Sequence, residues 1–192
     1  MTADIKIEVL EYIDEAGRTY YIERLERMLP VSEIDHDDVY KTGCEVCEKY
    51  GKNLACSPFS PSLSAYSNNA ETARVICLRM PQEYFSHLAS EDKYLTCFRK
   101  VRSLLVEILL DYRKRGYIVA GSGTCLECDQ CAAELNSAKC KKPTKIIYSL
   151  ESLGTNLITL VKTCFGIDLE WSSNEQHADF VCAVGAVFYE VK

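Results

Sequence analysis

The sequence predicts an α/β or α+β fold: a small mixed sheet packed by helices, with cysteine-rich metal-binding loops at one end. Three observations predict it. Apolar runs of strand length, rich in Val, Ile and Tyr, recur along the chain between segments of helical periodicity. They follow one another as strand, helix, strand, helix, strand, an order that folds into a sheet layered with helices. Seven of the eleven cysteines fall outside these runs, in polar segments that also carry Gly and Pro.

The elements can be justified in order. "IKIEVLEYI" and "TYYIERLERMLP" alternate in polarity and flank Gly17, which reads as a strand pair or a strand and a short helix. "SEIDHDDVY" is an acidic connector. Ser60 and Pro61 give a helix start, with Ser as N-cap and Pro in the first turn. "ARVICLRM" is a buried strand, and Pro81 opens another short helix. In "EDKYLTCFRKVRSLLVEILLDYRKRG", Phe98, Val101, Leu105, Ile108, Leu109 and Tyr112 form one helical stripe. Glu91 and Asp92 at its start, Arg113, Lys114 and Arg115 at its end, and Gly116 as terminator suit the helix dipole and C-cap. "YIVAG" is a strand, Ser149 is placed to cap a second long helix to about Phe165 before Gly166, and "ADFVCAVGAVFYEV" closes as a buried strand.

The 192 residues suit a single domain, since domains commonly run about 100–200 residues. A net charge of −6 argues against nucleic-acid binding, which needs a basic excess to neutralise phosphates. No apolar run approaches the roughly 20 residues of a membrane span. "MTADIKIEVLEYIDE" lacks the basic and apolar regions of a signal peptide, so a cytoplasmic location is expected. Thiols stay reduced there, and an odd number of them cannot all pair, which argues against disulfide stapling.

The cysteines divide by setting. Cys77, Cys97, Cys164 and Cys182 lie within apolar strands or helices and read as core. Cys125, Cys128 and Cys131 form C-x2-C-x2-C, with Cys140 eight residues further on and Pro143 after two lysines. Three thiols at consecutive two-residue gaps suit three corners of a 4Fe-4S cubane better than a zinc site, which takes one C-x2-C pair from each of two knuckles. Lys139, Lys141, Lys142 and Lys145 can offset the negative charge of such a centre, and "GSG" ahead of it can turn backbone N–H groups toward sulfur. Cys44, Cys47 and Cys56 form a second group of three. It supports a second cluster with one iron free of protein thiolate, or an exchange in which Cys140 or Cys56 ligates the opposite cluster. In a third arrangement, Cys44 and Cys47 join Cys125 and Cys128 in a structural zinc site.

"CEVCEKYGKNLACSPFSPS", "GSGTCLECDQCAAELNSAKCKKP" and "SLESLGTNL" resemble the family of predicted metal-binding proteins built on domain of unknown function 2284. The resemblance spans roughly residues 40 to 170, with Cys56-Ser57-Pro58 where members usually have Cys-Pro-Pro. It implies metal binding and no particular activity.

Two functions follow from the residues. One is an electron carrier with a redox partner protein, toward which the acidic surface steers it. The other is an enzyme whose open-site cluster at Cys44, Cys47 and Cys56 binds sulfide or a substrate for sulfur transfer or desulfuration, with Glu45, Glu48, Tyr50 and Lys52 within sequence reach. His36, His87 and His177 show no zinc-hydrolase spacing, and no Ser-His-Asp, phosphate-loop or deaminase pattern occurs.

Overall fold

The protein is described by a computed structural model covering residues 4–125, 127–169 and 179–190, the side chains of Ser90 and Glu91 aside. His177, and Ala178 and Val191 at the ends of the expected closing strand, lie outside the described residues. The strands are β1 (Lys6–Ile13), β2 (Thr19–Pro30), β3 (Thr72–Pro81), β4 (Ile118–Ala120) and β5 (Phe180–Tyr189). The α-helices among the described residues are α1 (Leu63–Tyr66), α2 (Ser90–Lys114) and α3 (Leu157–Phe165). The sheet runs β1-β2-β3-β5-β4, and every pairing in it is antiparallel. The mixed helix-and-sheet class read from the sequence is the one observed.

The opening segment is a strand pair. Asp14 organises the turn between β1 and β2: its Oδ1 accepts from the backbone of Ala16 and Arg18, and its Oδ2 accepts from Tyr20 Oη. These contacts hold the Asp14 carboxyl down at about 2, the Arg18 amide contributing most.

β3 and β5 read as continuous apolar runs because both of their faces are covered. On one face, Ile76, Leu78, Val181, Ala183 and Val187 meet Cys97, Val101, Leu105 and Leu109 of α2. On the other, Val75, Cys77, Val184, Ala186 and Phe188 meet Leu160, Val161 and Cys164 of α3. Each fully buried Val or Leu contributes about 1.5–3 kcal/mol, so these two layers hold the fold. Gly185 in β5 permits the closeness of α2, since a Cβ there would lie 2.8 Å from Ala120 O and 3.0 Å from Leu109 Cδ1. The end of α2 follows its sequence signals: Gly116 adopts φ +91°, its N–H donates to Arg113 O, and the Tyr117 N–H reaches Tyr112 O at 3.2 Å.

Two expected helix starts move. Ser62, not Ser60, caps α1, while the Ser60 hydroxyl donates to Ser152 O. The long helix expected from Ser149 is only α3, capped by Asn156 Oδ1 accepting from Thr159 N at 3.2 Å. Residues 149–155 form turns instead. Ser149 Oγ accepts from Ser152 N, Ser152 Oγ donates to Ser149 O and Ala55 O, and Gly154 takes φ +84°. Serine side chains that satisfy nearby backbone groups compete with helix formation, and the left-handed glycine ends the turn. Cys77, Cys97 and Cys164 are buried, as expected of core thiols, whereas Cys182 is half-buried.

Candidate metal centre

α2 leads into β4, and β4 delivers the chain into the four-cysteine loop. Gly121 N donates to Tyr148 O at 2.8 Å, and Leu150 N donates to Gly121 O at 2.9 Å, so the 148–150 segment braces the exit from the strand. Beyond it, a 3-10 turn from Ala132 to Leu135, ended by Asn136 at φ +56°, folds the chain back toward Cys140. The result is convergence. Cys125, Cys128, Cys131 and Cys140 are all half-buried and line one cavity of about 20 Å³, which has room for about one water-sized body.

The backbone presents donors to these sulfurs. Leu54 N donates to Cys131 Sγ at 3.4 Å, and Lys142 N donates to Cys140 Sγ at 3.3 Å. Burial pushes the Cys125 thiol up, while hydrogen bonding from the Glu127 and Ile147 backbone pulls it the other way. None of these donors comes from "GSG". Gly121 N is engaged with Tyr148, and the Ser122 carbonyl faces Arg102. All four lysines of the loop are exposed. Lys142 and Lys145 each stand 3.9 Å from the Glu127 carboxylate, so part of their charge is already offset.

The three-cysteine loop is built from successive tight turns. Asp37 Oδ1 accepts from Val39 N and starts a 3-10 stretch from Asp38 to Cys44. Cys47 N then donates to Cys44 O, Tyr50 N to Cys47 O, and Cys56 N to Asn53 O. Gly51, at φ +67°, closes the loop by donating to Ser57 O. Cys44 and Cys56 are half-buried and Cys47 is exposed. Burial, followed by the nearby Cys47 and Cys44 sulfurs, pushes the Cys56 thiol up to about 12. Burial likewise raises Cys44, helped by the Glu151 carboxylate and Cys47. Near these thiols the buried Glu151 Oε2 has no hydrogen-bond partner among the described residues, and the Ser57 hydroxyl faces the Cys44 sulfur, which it pulls the other way. Burial also raises the Glu151 carboxyl above its ordinary value.

The loops touch without merging. Asn53 Nδ2 donates to Cys125 O at 3.2 Å, and Asn53, Leu54 and Ala55 of the first loop line the cavity of the second. Cys44, Cys47 and Cys56 do not line that cavity. Glu45, Glu48, Tyr50 and Lys52 are exposed, and none makes an ion pair among the described residues. The carboxylate that approaches the thiols is Glu151, on the 149–155 turn. His36 binds Ile34 O through Nδ1, and His87 lies near the Phe85 ring, both apart from the thiols. Sequence reasoning missed Asn53, Leu54, Glu151 and Arg102. Only Arg102 left a signal, as a charge four residues from Phe98 and three from Leu105 on the apolar stripe of α2.

The described helices include none long and apolar enough to cross a membrane. No curated protein and no solved structure matches the chain. A family described as predicted metal-binding protein, DUF2284, matches residues 27–188, which takes in both cysteine loops, β3, β4 and nearly all of β5, while β1 and most of β2 precede it. The chain belongs to this DUF2284 family of predicted metal-binding proteins.

Proposed function

We propose that the protein is an iron-sulfur protein of the cytoplasm with a redox role. In this reading Cys125, Cys128, Cys131 and Cys140 hold a 4Fe-4S centre, and Cys44, Cys47 and Cys56 hold a second centre with one iron lacking a protein thiolate. The observation that carries it is the convergence of four half-buried thiols on one cavity, with backbone N–H groups donating to two of the sulfurs. The donor set fits the group, since soft thiolates favour iron-sulfur chemistry and N–H donors to sulfur spread its negative charge. Among the described residues, no three His, Cys, Asp or Glu side chains form a group that could hold one metal ion. The thiols sit on 3-10 turns and irregular backbone, which can spread around such a body without breaking a strand or α-helix.

A bound cluster supplies one-electron transfer. The chain's part is to hold and tune it: Leu54 and Lys142 donate to the sulfurs, while Leu54 with Ala132 and Ala133 packs an apolar wall that limits water at Cys131 and Cys140. The acidic net charge suits a partner protein with a basic face. Anaerobically isolated protein should be brown, with iron and acid-labile sulfide in comparable amounts. A colourless protein holding only zinc overturns this reading.

A second reading, catalysis at the three-thiol centre in sulfur transfer or desulfuration, is favoured by the orphaned Glu151 Oε2 beside those thiols. Glu151 also lines a cavity of about 310 Å³ that runs past Ser122 to Phe180 and Cys182, large enough for a small substrate. Added sulfide or cyanide should then shift the spectrum of that centre alone. A spectrum indifferent to both ligands leaves the carrier and removes the enzyme.

A further inference from the structure

Arg102 projects from α2 to the backbone that leads from β4 into the four-cysteine loop. It is 8% exposed, and its Nε donates to Ser122 O at 2.6 Å. Gly123, at φ +68°, makes room for it: a Cβ at Gly123 would lie 3.0 Å from Arg102 Nε and 3.4 Å from Cδ and Cζ. Arg102 and Cys125 border one cavity of about 270 Å³. Among the described residues, no carboxylate forms an ion pair with Arg102.

A buried guanidinium held by a backbone carbonyl and lacking a counter-ion is costly, because burial removes the water that stabilised its charge. Burial accordingly pushes its pKa down, while Cys125 of one loop, Cys56 of the other, and Glu151 push it back up. The geometry sets this cation against the turn that leads into the four-cysteine loop, where Arg102 and Cys125 border the same cavity.

We propose that Arg102 is a positioning residue and the counter-charge of the four-cysteine loop, holding the Ser122–Cys125 turn and offsetting the negative charge of the metal centre bound there. The inference rests on the reading that the thiols carry an anionic metal centre. It makes the metal-bound state the one in which Arg102 is satisfied. Its charge eases the addition of an electron to the Cys125 centre, so the reduction potential is higher with Arg102 than without it.

The test uses the full chain, isolated anaerobically, as wild type, Arg102→Met and Arg102→Lys. Metal release to a chelator, the midpoint potential, and the melting temperature of the metal-free form are measured. Arg102→Met should release metal about 10- to 100-fold more readily, the usual cost of losing a partner just outside the ligands. It should also lower the midpoint potential while leaving the metal-free form as stable as wild type or more so, since an unpaired buried charge has been removed. Arg102→Lys keeps the charge and should restore the potential. Metal release and potential unchanged in Arg102→Met, or a metal-free form that no longer folds, overturns the proposal. Zinc in place of iron would sink the cluster reading instead, and the chelator series would still decide the role of Arg102.

Discussion

The two cysteine loops carry the same thiol groups in different surroundings. In the loop from Cys125 to Cys140, four thiols share a cavity and two of the sulfurs accept backbone N–H donors. In the loop from Cys44 to Cys56, burial and neighbouring sulfurs raise Cys56 to about 12, and Glu151 Oε2 beside it lacks a partner. The difference teaches that thiol count is only part of a metal site. The four-thiol loop receives one backbone donor of its own, from Lys142, and one from Leu54 of the other loop. The three-thiol loop sits beside a buried carboxylate oxygen with no partner.

The largest expected effect comes from removing a ligand from each loop in turn. With two cubanes the intact protein holds about eight irons, and Cys128→Ala or Cys47→Ala should each leave about four. Iron analysis with the spectrum of the remaining centre checks this. Four irons in the wild type, all lost on either substitution, would mean one centre assembled from both loops and would erase the distinction drawn above.

Gly154→Ala should act on one loop alone. Gly154 has φ +84°, its carbonyl accepts from Asp37 N, and a Cβ there would stand 2.7 Å from Asp37 O. Asp37 starts the 3-10 stretch that ends at Cys44, so the strain, about 1–3 kcal/mol, reaches the three-thiol loop first. The melting temperature should fall, and a chelator should take metal from the three-thiol centre before the four-thiol one. Equal loss from both centres would show that the loops respond as one body.

A smaller effect separates core thiols from loop thiols. Burial raises Cys97 to about 12 and Cys164 to about 11, from an ordinary value of 9.0. A thiol whose pKa is raised by folding favours the folded state below the unfolded pKa, and that contribution is lost as pH climbs through the folded value. Metal-free protein should therefore lose stability between about pH 9 and 12. Cys97→Ala should flatten the slope, read as the midpoint of denaturant unfolding against pH. Cys56→Ala should flatten it too only if the metal-free loop keeps its shape, so an unchanged slope would mark that loop as dependent on metal.

Much of the molecule was legible in the sequence, for reasons tied to local chemistry. The stripe from Phe98 to Tyr112 and the glycine after it defined α2, because helix period and C-cap geometry depend on neighbouring residues. Continuous apolar runs marked β3 and β5, because both of their faces are covered. The C-x2-C-x2-C run and the separate group of three marked the candidate ligands, because metal chemistry shows in residue type and spacing. The Ser149 helix was misread for the converse reason. Ser149 and Ser152 look like helix-start residues locally, but their hydroxyls are taken up by Ser149–Ser152 contacts and by Ala55 of a distant loop.

The sequence by itself determined the strands, the long helix α2, the candidate ligands and the two thiol groups, since each is set within a few neighbouring residues. Only the tertiary structure decided which groups complete the site. Asn53 and Leu54 reach the second loop across a long stretch of chain, Glu151 comes to the first from a turn after β4, and Arg102 comes from the middle of a helix. Burial and electrostatic pairing act through space, and chain spacing does not record who stands beside whom once the sheet has closed.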